Sequence, residues 1–294
     1  MAEKTSIAVE EVPVQEQKTN WALIAAISVG TLLLTLSFIM TAMFARREQN
    51  PEQEPEKETS TELVTQSTQP LFPPNPYGPT DFQYDGDYLT CLAGESELGI
   101  DVSSFQGVID WQQVRDAGVE FVMIRVGGRG YGEEGKLYAD ARAAENYAGA
   151  KAAGLRVGAY FFSQAISVEE AEEEAAYVLD LIRNWTLDMP VVYDWEYLNE
   201  EARTANVDKR TLTDCTLAFC KAMEEAGNEA MIYFNPNQSD NHIYLEELTD
   251  YRGWLALYTD RMTYPYQVDM WQYTNTGTVP GIEGPVDINL YFPY

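Results

Sequence analysis

Apolar and polar positions divide the chain into three regimes. From Trp21 to Ala45 runs WALIAAISVGTLLLTLSFIMTAMFA, without a single charge. From about Arg46 to Thr80 follows REQNPEQEPEKETSTELVTQSTQPLFPPNPYGPT, rich in Pro, Glu, Gln, Ser and Thr. Such sequence cannot bury enough apolar surface to fold. Beyond it, short apolar runs alternate with helical patterns. The runs LGIDVSS, EFVMIRVG, LRVGAYFF, MPVVYDWE, AMIYFNP, GWLALYT, VDMWQYT and VDINLYF predict eight strands. They end near Asp101, Arg125, Phe162, Glu196, Asn235, Tyr258 and Tyr273, with VDINLYF last.

Helical patterns fill the early gaps. One begins near Trp111. A second, LYADARAAENYAGAKAAG, stops at Gly154, a residue suited to a helix C-terminus. A third, SVEEAEEEAAYVLDLIRNW, opens on Ser167 with acids in its first turn. A fourth covers about Thr211 to Ala226, and a shorter fifth surrounds Tyr244 to Leu248. The last two connections are short and rich in Pro, Gly and Thr, with little room for helices. Eight strands with helices after the first five predict an α/β fold, a parallel barrel with a simplified end. The alternative is an open doubly wound sheet. No GxGxxG lies between the first strand and helix, and the glycines of RVGGRGYG fit a loop better than a phosphate cradle.

The apolar run sets the expected domain plan. About 25 helical residues rise roughly 37 Å, enough to cross a hydrocarbon core of about 30 Å with some tilt. A buried soluble helix fits poorly, because the run is apolar all round and borders polar sequence. A cleaved signal peptide also fits poorly: the run exceeds a usual apolar core segment, and no A-x-A site follows. The expectation is a tail over 1–20, a signal anchor over 21–45, a disordered linker over 46–80 and a folded domain over 81–294. As a coil the linker spans roughly 30–35 Å.

Composition narrows the chemistry. The net charge of −28 gives no support for nucleic-acid binding, which needs a basic patch. The three cysteines, Cys91, Cys215 and Cys220, do not make a disulfide framework. With His242 the single histidine and no CxxC, no metal site is expected, and no cofactor.

Four acids stand out. Asp101 ends the first strand, Asp194 and Glu196 end the fourth, and Asp287 lies in the eighth. Asp194 and Glu196 are two apart, so a regular strand points both to one face and Trp195 to the other. In a closed barrel the first and eighth strands are neighbours and the fourth lies across from them. The acids then face one mouth from opposite walls. A lone acid at a strand end is commonly a solvated loop residue; four converging beside aromatics suit glycoside hydrolysis. That reaction needs one carboxyl that keeps its proton and a second group that stays charged. Neighbouring carboxylates push their pKa values apart. Aromatics at strand ends, Tyr160, Phe162, Tyr233, Tyr258, Trp271 and Tyr273, offer faces for sugars. The substrate-binding candidates are Arg125, Tyr160, Tyr233, Tyr258 and Trp271.

The segments GIDVSSFQGVIDW, GLRVGAYFF, PVVYDWE, WLALYT and MWQYTNTGTVPGIEGPVDINLY together resemble glycoside hydrolase family 25, the Chalaropsis-type muramidases. The resemblance runs from about Leu98 to Phe292. It implies a TIM-like flattened (β/α)5(β)3 barrel and cleavage of the β-1,4 bond between N-acetylmuramic acid and N-acetylglucosamine in peptidoglycan. Glu196 matches the family's proton donor, Asp194 the second acid of its D-x-E pair, Asp101 the acid of its opening motif and Asp287 that of its closing one. Many members carry histidine where this chain has Phe161, which bears on local substrate contacts.

Two other readings stay open: a glycan-binding barrel without turnover, and a chitinase-like hydrolase. The first needs no converging acids. The second carries a longer D-x-x-D-x-D-x-E run, and Met189 to Tyr193 holds no acid. Peptidoglycan as partner implies a single-pass protein of the cell membrane, with tail 1–20 cytoplasmic and barrel extracellular. The flanking charges, Lys4 and Lys18 before the span and Arg46 and Arg47 after it, lean slightly the other way.

Overall fold

The computed structural model describes residues 73–293. The expected tail, the apolar span 21–45 and the linker up to residue 72 lie outside the described residues. Among the described residues no helix is long and apolar enough to cross a membrane.

A hairpin comes first, β1 (Phe82–Asp85) and β2 (Tyr88–Cys91). Then follow β3 (Glu97–Val102), α1 (Trp111–Asp116), β4 (Phe121–Arg129), β5 (Leu137–Ala139), α2 (Ala143–Ala152), β6 (Arg156–Ser163) and α3 (Val168–Ile182). The second half holds β7 (Val191–Trp195), α4 (Lys209–Glu225), β8 (Ala230–Phe234), α5 (Pro236–Asn241), β9 (Arg252–Ala256), β10 (Met270–Gly277) and β11 (Val286–Tyr291). The order β3-β11-β10-β9-β8-β7-β6-β4 closes into a barrel because β4 also pairs with β3. All eight predicted strands are its staves.

One stave runs against the others. β11 is antiparallel to both β10 and β3, whereas the remaining neighbours pair in parallel. Only eight residues separate Gly277 from Val286. A parallel return needs a crossover of about a dozen residues or more. The reversal carries the start of β11 to the mouth, where Asp287 pairs in register with Asp101.

Strand alternation divides the core in two. Phe121, Met123, Val192, Met231, Tyr233, Trp254, Met270 and Tyr291 fill the interior. Their neighbours in sequence, Val122, Val191, Tyr193, Ile232, Leu255, Trp271 and Leu290, belong to the outer layer under the helices. Gly99 makes the inner packing possible: a Cβ there would sit 2.2 Å from the Phe121 ring. The helices start where their caps dictate. Ser167 accepts from Glu170 N at the head of α3, and Asp208 accepts from Thr211 N at the head of α4.

Several elements differ from expectation. β4 runs on to Arg129, so Gly127 and Gly128 lie in a strand and not in a loop. A Cβ on Gly127 would stand 2.3 Å from the Tyr138 carbonyl; the missing side chains let β5 pair there. Leu137–Ala139 is therefore strand, and the second helix starts only at Ala143. The expected fifth helix is a single 3-10 turn, Leu245–Glu247, with α5 before it.

The last residues of the expected linker are part of the folded unit. Gln267 N donates to Pro73 O at 3.0 Å and Asn75 N to Pro265 O at 2.9 Å. Asn75 Nδ2 donates to Tyr264 O, and the Tyr77 ring packs 5.0 Å from Phe292. This strap pairs with the segment 264–267 that leads into the start of β10, on the side of the barrel remote from the mouth.

Candidate active site

Backbone register brings the four acids to one mouth. Asp101 is next to last in β3, and Asp194 next to last in β7. Glu196 follows the end of β7, and Asp287 is second in β11. Trp195 faces outward into the packed layer, as alternation requires.

Asp101 is held hard. Its Oδ2 accepts from Gln272 Nε2 at 2.8 Å and Asn289 Nδ2 at 2.9 Å. Both amides sit on inward positions of neighbouring strands. Gln272 Oε1 in turn accepts from Tyr233 Oη at 2.8 Å and Tyr258 Oη at 3.1 Å. Asn289 Oδ1 accepts from Trp254 Nε1 at 2.8 Å. A single amide–phenol network thus spans β3, β8, β9, β10 and β11.

Asp194 is placed differently. It is 5% exposed, and its Oδ1 has no hydrogen-bond partner. A buried carboxylate oxygen without a donor costs free energy, and such groups are kept where a ligand completes them. Glu196 stands beyond the sheet ladder, and side chains hold its backbone instead. Gln164 Nε2 donates to Glu196 O at 3.1 Å, and Gln164 Oε1 accepts from Thr204 Oγ1 at 2.9 Å. Gln238 Nε2 donates to the carbonyl of Trp195.

Burial raises every acid of the set, and repulsion from neighbouring acids adds to it at Asp101, Asp194 and Glu196. Burial drives Asp101 well above the carboxylate range, helped by Asp287 and Glu196 and opposed by Asn289 and Gln272. Burial does the same to Asp194, with Glu196 and Asp101 adding to it and Arg125 opposing it. Glu196 is raised by burial and by Asp287. Asp287 is raised by burial to about 6.

A cleft of about 490 Å³ opens beside Asp194 and Glu196. Arg125, Tyr160, Phe162, Tyr138 and the strongly exposed Phe105 and Tyr131 line it. Arg125 is fixed by Asp140, through Nε at 2.9 Å and Nη2 at 2.8 Å, and lies 4.8 Å over the Phe105 ring. Arg129 also borders the cleft, but Glu173, Glu174 and two backbone carbonyls occupy its guanidinium.

The profile of the family described as Glycosyl hydrolases family 25 matches residues 100–282, more than half of the chain. The chain belongs to that family. The autolytic lysozyme of Clostridium acetobutylicum is 27% identical over 197 residues, covering 66% of this chain and 55% of that protein. The crystal structure of the bacterial lysozyme from Streptomyces coelicolor superposes with a TM-score of 0.55 at 25% identity, over 68% of this chain and 93% of that one. The modular autolysin LytC of Streptococcus pneumoniae, solved with a synthetic peptidoglycan ligand, gives a TM-score of 0.60 at 26% identity, over 67% and 47%. The chain therefore spans about half the length of the clostridial lysozyme and of LytC.

Within this family 25 barrel, Arg125 and Tyr160 border the cleft beside Asp194 and Glu196. Tyr233 and Tyr258 stand on the other side of the mouth, joined through Gln272. Trp271 does not reach it. Period two points Met270 and Gln272 inward, so Trp271 faces out, is fully buried, and donates to Leu257 O at 2.8 Å. Tyr273 shares that outer face. Phe161 also points outward, under Tyr177, while Tyr160 and Phe162 take the cleft side. Substitution of the family's histidine thus alters outer packing, not a surface of the cleft. Gln272, Asn289 and Phe105 went unremarked in the sequence. The two amides were findable: each is a polar residue on the inward phase of an otherwise apolar strand. Phe105 lies in a loop with no period to reveal it.

Proposed function

We propose that this protein is a muramidase that hydrolyses the β-1,4 bond between N-acetylmuramic acid and N-acetylglucosamine in peptidoglycan. The observation that carries the reading is the mouth of four carboxyls on three strands, with one wall of exposed aromatics, in a family 25 barrel. Glu196 is the proton donor. Burial and Asp287 keep it protonated where a free glutamate has ionised, as protonation of a leaving oxygen requires. Asp194 is the second acid. Its unpartnered Oδ1 is free either to bond to the sugar or to hold the substrate's own 2-acetamido group as that group attacks. Burial, Glu196 and Asp101 raise Asp194, and Arg125 opposes that rise, favouring the charged form that the second acid needs. Asp101, tied down by two amides, and Asp287 set the potential around the pair.

The test is Glu196→Gln on purified peptidoglycan. Release of reducing ends is expected to fall by about 10²–10⁴-fold, the usual contribution of a general acid. Release near the wild-type rate would overturn the assignment. Mass spectrometry of wild-type digests should show muramic acid as the new reducing end; activity on chitin alone would favour the chitinase-like alternative. The uncharged run 21–45 supports a further proposal, that the protein is a single-pass membrane protein with its barrel outside the cell, acting in remodelling of nearby wall. Protease treatment of intact cells should then remove the barrel.

A further inference from the structure

The barrel carries a second groove, away from the cleft and built from different elements. The β1–β2 hairpin is fixed to the outside of β10. The Phe82 ring meets Trp271 edge-on at 5.0 Å, and Leu89 N donates to Tyr273 Oη at 3.3 Å. Tyr88 Oη donates to Thr278 O at 3.3 Å, and beside that contact the hairpin and the end of β10 enclose a groove of about 670 Å³. Tyr84 and Asp87 form one wall. Thr274, Thr276 and Thr278 form the other, and Tyr273 and Ile288 the floor. Two register shifts where β10 pairs with β11, between Gln272 and Gly277, let the strand end flare into this wall.

We propose that this groove is an auxiliary glycan-binding site, which holds an uncharged stretch of polysaccharide outside the catalytic cleft. Its chemistry selects the ligand. The Tyr84 ring is 55% exposed and offers an apolar face. Threonine hydroxyls and the Asp87 carboxylate offer the donors and acceptors that sugar hydroxyls require. No basic residue lines the groove, so phosphate and carboxylate ligands find no counter-charge there. The volume lies within the range of small-ligand sites and accommodates one or two sugar rings. The groove also lies at the mouth end of the barrel. Thr274 and Thr276 continue the strand whose Gln272 holds Asp101, and Ile288 follows Asp287 on β11. The hairpin wall precedes the family-matched region 100–282. The identity of the polymer as peptidoglycan glycan rests on the reading of the cleft given above.

The experiment uses the full chain carrying Glu196→Gln, with chitohexaose as a soluble uncharged probe, followed by hydrogen–deuterium exchange. Slower exchange is expected in peptides covering 84–91 and 274–280 as well as around the cleft. Tyr84→Ala should abolish the protection at 84–91 and 274–280, leave the cleft protection, and lower the fraction bound to insoluble peptidoglycan about three- to tenfold. Tyr84→Phe should retain both. Protection at the cleft alone, or groove protection indifferent to Tyr84→Ala, would overturn the proposal. Its failure is separate from failure of the muramidase reading, which the wild-type digest decides.

Discussion

At the scale of single residues, electrostatics and backbone support meet at Glu196. Asp287, with its carboxyl at about 6, stands at the centre of the pH behaviour. A carboxyl whose folded pKa is raised binds more protons when folded than unfolded. The folded state therefore loses stability as pH rises from the ordinary aspartate value to about 6, and the penalty then stays constant. Asp287→Asn removes that penalty. Its melting temperature at pH 8 should exceed that of the wild type, with a gain of at most about 3 kcal/mol and less because the side chain is partly solvated. The same change removes a negative neighbour of Glu196, so the alkaline limb of the activity profile should move to lower pH. An unchanged limb would separate the two groups. Gln164 acts one step further back, through the Glu196 carbonyl. Gln164→Leu leaves that carbonyl and Thr204 without a partner. The expected result is a fall in kcat of about tenfold with little change in KM, since about 1.4 kcal/mol of positioning is a factor of ten.

At the scale of elements, the eight barrel strands were legible because each is a compact apolar run bounded by turn residues. The D-x-E pair was legible because strand alternation fixes which side chains share a face. Direction was not: β11 reads like any other strand, and only the eight-residue connection before it forces the reversal. The β1–β2 hairpin was missed because its strands are four residues each. Its signal was the glycine of YDGDY, at φ 64° in a two-residue turn. Trp271 stands at a strand end like the cleft aromatics, but the same period that places Asp194 turns it outward. The strap is the element with the most practical consequence. A fragment beginning at Asp81 loses its hydrogen bonds to residues 264–267 and the Tyr77 ring against Phe292. Such a fragment should melt about 5–10 °C below one beginning at or before Pro73, by calorimetry. That corresponds to about 2–3 kcal/mol in a domain of this size.

At the scale of the whole molecule, net charge opposes the approach to the proposed substrate. The chain carries −28, and intact walls that contain anionic polymers present the same sign. Repulsion between exposed charges is screened over about 8 Å at physiological ionic strength and over much longer distances in dilute buffer. Activity on such walls should therefore rise several-fold between about 10 mM and 150 mM salt. Activity on a soluble uncharged oligosaccharide should stay nearly flat. Equal salt dependence for both would locate the effect in the cleft instead.

The reversed last strand settles on which side of the barrel the chain leaves it. Because β11 runs away from the mouth, Phe292 finishes beside Asp269 at the barrel floor, and the strap lays Tyr77 against the same phenylalanine. The end of β11 and the strap are thus on the side remote from the acids. For a protein engineer that makes the C-terminal end of the barrel a handle. A resin, a fluorescent partner or a targeting module joined there would sit behind the barrel and leave the cleft open.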